Sequence, residues 1–378
     1  MRKCAVLLLC AMLTACATTP PPEQTTRFFH DHLFQPPTER IDAADVFAMS
    51  SEMNQYVRTE MSTQMRANGR RRWLLDALYS TKQLRLEFDS EMTRNAAQAF
   101  AARSGNCLSL VIMTAAFAKE VGLSVRFQNV LVDETWSRSG DNYMSIGHVN
   151  LTLAELRPDV ALGYNENDLL TIDFLPPRDL GRLRTQRIEQ ETVLAMYMNN
   201  RAAESMTQGN LDNAYWYARE AIRQDARFLH AYNTLGAIYQ RHDNLDQAEQ
   251  VFTYVLGRDP ENTRAMSNLV AVLGHLGRVT DARALNNRLK QLEPFPPFMF
   301  FKEGVAAMQK KDFKTASVMF EKEVDRAPYY HEFHFWLADA YAGLGEIGRA
   351  RKHLTLAMEN STTRRAHGIY AAKLERLN

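Results

Sequence analysis

From residue 195 onward the sequence repeats every 34 residues, and no other feature constrains the fold as tightly. Alanine recurs in step as Ala214, Ala248, Ala282, Ala316 and Ala350. A proline closes the period at Pro260, Pro294 and Pro328, while Ala226 and Thr362 stand there in the first and last periods. Within one period, Tyr232, Leu235, Gly236, Tyr239, Ala248, Phe252 and Pro260 outline two helices and the turn that ends them. Small side chains let the two helices approach closely, and large ones fill the gaps between units. A unit of this size cannot bury its apolar face alone, so stacking is obligatory. The phased blocks run 195–228, 229–262, 263–296, 297–330 and 331–364, with 365–378 as a capping helix.

This spacing resembles the tetratricopeptide repeat (TPR), and the resemblance implies an all-α solenoid over 195–364. It puts Asn199, Asn233, Ser267, Phe301 and Phe335 at one equivalent position of a concave groove, where a protein or peptide partner would bind. For Phe301 and Phe335, packing between repeats is the competing assignment. Met198 and Ala202 replace the aromatic–glycine pair in the first unit, and Asn286 replaces the counterpart of Phe252 in the third.

The N-terminus reads as a targeting segment. Arg2 and Lys3 precede an apolar run from Ala5 to Leu13, too short to span a bilayer. Leu13-Thr14-Ala15-Cys16 resembles the lipobox of bacterial lipoproteins. The resemblance implies a signal peptide over 1–15, a lipid on Cys16 and membrane attachment through it. Ala17, where an aspartate would signal retention at the inner membrane, points to the outer membrane and a periplasm-facing protein. Residues 16–40 read as a lipidated tether, proline- and threonine-rich from Thr18 to Thr26, with His30 and His32 in a flexible entry segment. The charge count, 45 basic against 44 acidic residues, gives no footprint for a nucleic-acid partner. The Arg70-Arg71-Arg72 run reads as a solvated helix face.

Cysteine use is informative in that compartment. Cys4 and Cys10 leave with the signal peptide and Cys16 is acylated, so Cys107 remains as a thiol with no intramolecular disulfide partner. It is either a small buried hydrophobe or a functional group.

Between tether and repeats, residues 41–190 form the second domain. Val46, Met49, Met53 and Val57, then Trp73, Leu74, Ala77 and Leu78, recur at helical spacing. Leu108 to Phe117 reads as a buried central helix stopped at Gly122, and strands follow over 123–132, 145–153 and 169–174. Such an order predicts an α+β domain. Cys107 sits where the buried helix begins, a place that favours the thiolate. Alternation puts His148, Asn150 and Thr152 on one strand face, and Thr171 and Asp173 on one face of the next strand. A nucleophile, a base and a carboxylate that orients the base are what thiol catalysis requires.

Gly105-Asn106-Cys107 heading an apolar helix, a strand His148 and a later strand Asp173 resemble the transglutaminase-like domain, over roughly residues 90 to 175. That family has a papain-like fold, and the resemblance implies Cys107 as nucleophile, His148 as general base and Asp173 as its orienting residue. The aromatic that closely follows the family's histidine is absent, since His148-Val149-Asn150 stands there. Ala101 occupies the region where a papain-like enzyme has an oxyanion glutamine, and Trp136 is a candidate wall of the cleft. No metal or cofactor is implied. His331 and His334 share a helix face without the HExxH pattern.

The expected molecule is thus an α+β papain-like, transglutaminase-like domain followed by an all-α TPR solenoid. The expected function is chemistry on amide bonds through an acyl-enzyme on Cys107, as peptidase, amidase or acyltransferase, with the repeats docking a protein substrate or partner. The alternative is a non-catalytic adaptor lipoprotein of the cell envelope.

Overall fold

The structure, a computed structural model, describes residues 25–79, 84, 86–90, 92–139, 142–155, 169–174 and 184–377, with backbone alone at 60–68, 79, 131–139 and 142–146. The chain divides into two compact units, Met1–Ala43 with Glu191–Leu289, and Ala44–Gln190 with Lys290–Asn378. The signal-peptide and lipidation assignments, including Cys16, lie outside the described residues. Fifteen α-helices and six strands are present among the described residues.

In the second unit, α1 (Ser51–Asn68), α2 (Arg70–Tyr79) and α3 (Ala96–Ala102) precede the central helix α4 (Cys107–Glu120). Val46, Met53, Val57, Trp73, Leu74, Ala77 and Leu78 are buried, as their spacing predicts. Every residue of α4 from Leu108 to Ala118 is buried. The chain leaves α4 through Gly122, whose φ of +72° is the left-handed turn glycine adopts without strain.

Two short strands, β1 (Glu87–Phe88) and β2 (Ser104–Gly105), pair in parallel just before α4. An antiparallel sheet in the order β5-β4-β3-β6 follows, from β3 (Leu123–Ser139), β4 (Asn142–Glu155), β5 (Leu170–Ile172) and β6 (Arg184–Ile188). The expected three-stranded sheet therefore has a fourth member, β6, paired to β3 from Phe127↔Ile188 to Leu131↔Arg184. Both faces of β4 are buried, Val149, Leu151 and Leu153 on one, His148, Asn150 and Thr152 on the other. A fully polar face inside a protein must be hydrogen-bonded, or its desolvation is uncompensated.

Helical hairpins make up the rest. In the first unit these are α5 (Gln190–Thr207) with α6 (Leu211–Gln224), α7 (Leu229–Arg241) with α8 (Leu245–Arg258), and α9 (Thr263–His275) with α10 (Val279–Leu292). In the second they are α11 (Met299–Gln309) with α12 (Phe313–Arg326), and α13 (His331–Gly343) with α14 (Ile347–Glu359), followed by α15 (Arg364–Arg376). The repeat's small–large pair explains the close approach within a hairpin. A Cβ added to Gly236 would meet the Phe252 ring at 2.6 Å, and one added to Gly304 would meet Phe320 at 2.5 Å. Where Asn286 replaces the phenylalanine, α10 contributes no buried residue at all.

The predicted tether needs correction for its second half. Residues from Thr25 to Glu39 do not trail through solvent, because Phe28 and Phe34 are buried against the hairpins of their own unit. Their partners lie about 200 residues away in sequence, which is why composition alone reads the segment as a linker.

Candidate functional site

The site grows from the three residues that open α4. Gly105 is required by space, since a Cβ there would come within 2.6 Å of the Ser109 Cβ. Asn106 caps the helix: its Oδ1 accepts from the Ser109 amide at 2.9 Å and from the Ser109 hydroxyl at 2.8 Å. Its Nδ2 donates to the Thr93 hydroxyl at 2.9 Å, and the Arg94 amide donates to the Ser109 hydroxyl at 2.8 Å. This cap fixes Cys107 as the first residue of the helix, where backbone amides have no partner within the helix.

The sheet supplies the other groups. β4 and β5 pair with Leu151 opposite Ile172 and Thr152 opposite Thr171, so one further step of that register sets Asp173 beside Asn150. His148 Nε2 meets Asp173 Oδ1 at 2.7 Å, and Asn150 Nδ2 donates to Asp173 Oδ2 at 2.9 Å. Thr152 and Thr171 hydroxyls lie 3.3 Å apart on the same face. With the carboxylate accepting from Nε2–H, the neutral imidazole keeps its lone pair on Nδ1. Histidine and aspartate are thus brought together as the strand pattern predicts.

Asn150, which the sequence reasoning placed on the same face without giving it a role, joins the pair. It occupies the second oxygen of Asp173, which leaves the first oriented toward the imidazole. Its own Oδ1 is buried with no hydrogen-bond partner.

Cys107 departs from expectation in its acidity. Burial pushes the thiol up to about 12, the Asp173 charge adds in the same direction, and the residue's own backbone amide opposes both. The helix start alone would favour the thiolate. Although the residue as a whole is half-buried, desolvation of the sulfur outweighs the helix start and raises the pKa above the ordinary cysteine value. The helix that Cys107 opens packs against β4, the strand that carries His148. Trp136 lies outside the residues whose side chains are described.

Four of the five groove positions behave differently from one another. Asn199 is partly buried and its Oδ1 has no hydrogen-bond partner. Asn233 is buried; its Nδ2 donates to Asn262 Oδ1 at 3.3 Å, and its Oδ1 is likewise without a partner. Phe301 does not line a groove: its ring is buried in a core with Phe298, Phe320 and Phe333. Phe335 packs against Tyr370 of α15 at 5.0 Å between ring centres, with the Lys373 ammonium over its ring. The aromatic size that marked both positions is used to fill space, the competing assignment made from sequence.

His331 and His334 do not act together. His331 Nδ1 meets the Tyr370 hydroxyl at 2.7 Å, whereas His334 Nδ1 meets His353 Nδ1 at 3.0 Å. Among the described residues no three histidine, cysteine or acidic side chains gather as a metal site. Among them too, no helix is long and apolar enough to cross a membrane.

No curated protein matches the chain. Among solved structures it is similar to YrrB, described as a TPR protein with an unusual peptide-binding site, at 20% identity over 47% of this chain and 92% of that one, with a TM-score of 0.26. A structure titled as the functional characterization of pilF of Pseudomonas aeruginosa is 19% identical over 50% of this chain and 94% of the other, with a TM-score of 0.28. A thermophilic TPR protein of Thermus thermophilus is 14% identical over 48% and 98%, with a TM-score of 0.30. Residues 241–297 match the family model of the tetratricopeptide repeat, and the C-terminal region of this chain carries such repeats.

Proposed function

We propose that the chain is an envelope lipoprotein that joins a transglutaminase-like thiol centre, acting on amide bonds, to TPR repeats that dock its protein substrate. The observation that carries the chemistry is the buried His148–Asp173 pair at 2.7 Å, on a sheet against which the helix opened by Cys107 packs. In this reading His148 Nδ1 takes the Cys107 proton as the sulfur attacks the amide carbonyl. A carbon–sulfur bond forms, the carbon–nitrogen bond breaks, and the imidazolium passes its proton to the leaving amine. His148 then removes a proton from water, which attacks the thioester and releases the acid and the thiol. Asp173 orients the ring and offsets its transient charge, and the Cys107 backbone amide is one donor available to the oxyanion. With the thiol pKa raised by burial, His148 takes the proton as the sulfur attacks. Lipid attachment through Cys16 and a periplasm-facing outer-membrane location belong to the same reading and rest on the lipobox.

The raised thiol favours a second reading, a non-catalytic adaptor in which the repeats alone serve a partner. An activated acyl ester separates the two. The enzyme reading expects an acyl adduct on Cys107 by intact-mass measurement, lost when His148 is replaced by alanine. No adduct in the folded, unaltered chain would leave the adaptor as the function.

A further inference from the structure

The first unit seats the chain's own N-terminal segment on a face that the repeat pattern did not mark. From Thr25 to Glu39 the chain has helical backbone at Thr25 and Thr26 and one 3-10 turn, Asp31–Leu33, and is otherwise irregular. Its backbone is read by side chains of the hairpins. The Gln35 amide donates to Asp212 Oδ1 at 2.8 Å, and the Trp216 indole donates to the Gln35 carbonyl at 2.6 Å. Asn213 uses both ends of its amide on Thr38, accepting from the backbone N–H at 2.8 Å and donating to the hydroxyl at 2.8 Å. The Tyr239 hydroxyl donates to the Phe28 carbonyl at 2.6 Å and accepts from the His30 amide at 3.2 Å.

Side-chain anchors set the register. Phe34 stacks on Tyr215 with ring centres 4.1 Å apart and planes 6° from parallel, and also contacts His242. Phe28 packs against Tyr254 and edge-on to Tyr232. Between them Asp31 accepts from the Tyr215 hydroxyl at 2.5 Å and pairs with Arg219 at 3.1 Å. Burial and this carboxylate raise the Tyr215 phenol well above its ordinary range, so it remains a donor. All of these partners belong to α6, α7 and α8 or the turn after α7, and neither Asn199 nor Asn233 is among them.

An element belonging to a core satisfies its backbone within its own helix or sheet. Here local turns satisfy four amides, while the His30, Gln35 and Thr38 amides and the Phe28 and Gln35 carbonyls are met by long-range side chains, with aromatic anchors and one charge, as in peptide recognition. We propose that the face of α6, α7 and α8 is a peptide-binding surface for extended segments with an acidic residue three positions from an aromatic on either side. The chain's own Phe28, Asp31 and Phe34 occupy it in cis. An intramolecular ligand outcompetes a free one through its effective concentration, so the face opens only when the segment is released. The inference stands independently of the Cys107 chemistry.

The test uses a fluorescent peptide of residues 25–40 and the full chain carrying Phe28→Ala with Phe34→Ala, which leaves the surface intact. Fluorescence anisotropy should show saturable binding to this variant and at least about tenfold weaker binding to the unaltered chain. A peptide bearing Asp31→Ala should lose most of the affinity. A folded variant that binds no peptide would overturn the proposal. Should the variant not fold, hydrogen exchange of the unaltered chain decides. Excess peptide must speed exchange of the Gln35 and Thr38 amides without affecting α9, and unchanged rates there would also overturn it.

Discussion

Two buried imidazoles of the second unit differ in one partner, and the difference separates a candidate base from a structural ring. His148 is 4% exposed and His334 is 3% exposed. Each engages its Nε2 at 2.7 Å, His148 with the Asp173 carboxylate and His334 with the Pro328 carbonyl. The carboxylate carries a full negative charge that can offset an imidazolium; the carbonyl offers only a dipole. On the Nδ1 side the contrast continues. His334 faces a second imidazole, His353, at 3.0 Å, and burial lowers the pKa of both, that of His353 to about 4. Protons are therefore unwelcome at the helical pair, whereas the sheet pair has the counter-charge that a proton carrier needs.

The largest effect expected from breaking this contrast is on acylation. Replacing His148 by alanine should lower the rate of Cys107 acylation by about 10²–10⁴-fold, the range for removal of a general base. His334→Ala should leave that rate within about twofold, because its ring has no counter-charge to support proton transfer. Quenched-flow mass spectrometry of the acyl adduct measures both. Equal losses in the two variants would mean that general destabilisation, not proton transfer, is being read.

A smaller effect should follow from the carboxylate itself. Asp173→Asn preserves shape but removes the charge and lets the amide present the wrong group to Nε2. A loss on the order of 10²–10⁴-fold in acylation is expected, not exceeding that of His148→Ala, since the ring remains. Asn150→Ala acts one step further out by freeing the second oxygen of Asp173. It should cost roughly tenfold or less, about 1.4 kcal/mol, and shift the pH profile of acylation rather than abolish it. A variant that lowers the rate equally at every pH would assign Asn150 a purely structural role.

Much of this was legible in the sequence, for reasons tied to particular residues. Strand alternation put His148 and Asn150 on one face because a strand has a period of two, and Asp173 followed from the same rule on its neighbour. The 34-residue period located the hairpins because Gly236 with Phe252 and Gly304 with Phe320 must meet within van der Waals contact. The acidity of Cys107 was not legible, since position on a helix is local while burial depends on every element packed around it. Nor was the seat of the N-terminal segment, whose partners include Asp212, Asn213 and Tyr239, about 180–210 residues along the chain. Phe301 occupies the same repeat position as Asn233, but a repeat position fixes where a residue starts, not whether its ring turns into the core.

The thiol offers a sharper measure of the sheet site than its location does. A pKa raised to about 12 implies that alkylation of Cys107 by iodoacetamide is slow at neutral pH and continues to rise beyond pH 9, with no inflection near the ordinary cysteine value of about 8.5. Asp173→Asn removes the charge that contributes to this elevation, so the rise should begin at lower pH in that variant even as acylation falls. A normal inflection in the unaltered chain would show that water reaches the sulfur and would weaken the case for a desolvated centre.

The smallest effect distinguishes the helical pair and concerns stability alone. Above pH 6.5, His353 is neutral both folded and unfolded and contributes no pH dependence. As pH falls from 6.5 toward 4, the unfolded chain binds a proton that the folded chain refuses, so stability decreases with acidification. His334 adds in the same direction, its ring also being held below its ordinary value by burial. His353→Gln keeps a side chain able to donate to His334 Nδ1 and removes one titrating group. Urea midpoints between pH 4 and 7 should therefore fall less steeply in the variant, by about one proton in the linkage slope at most.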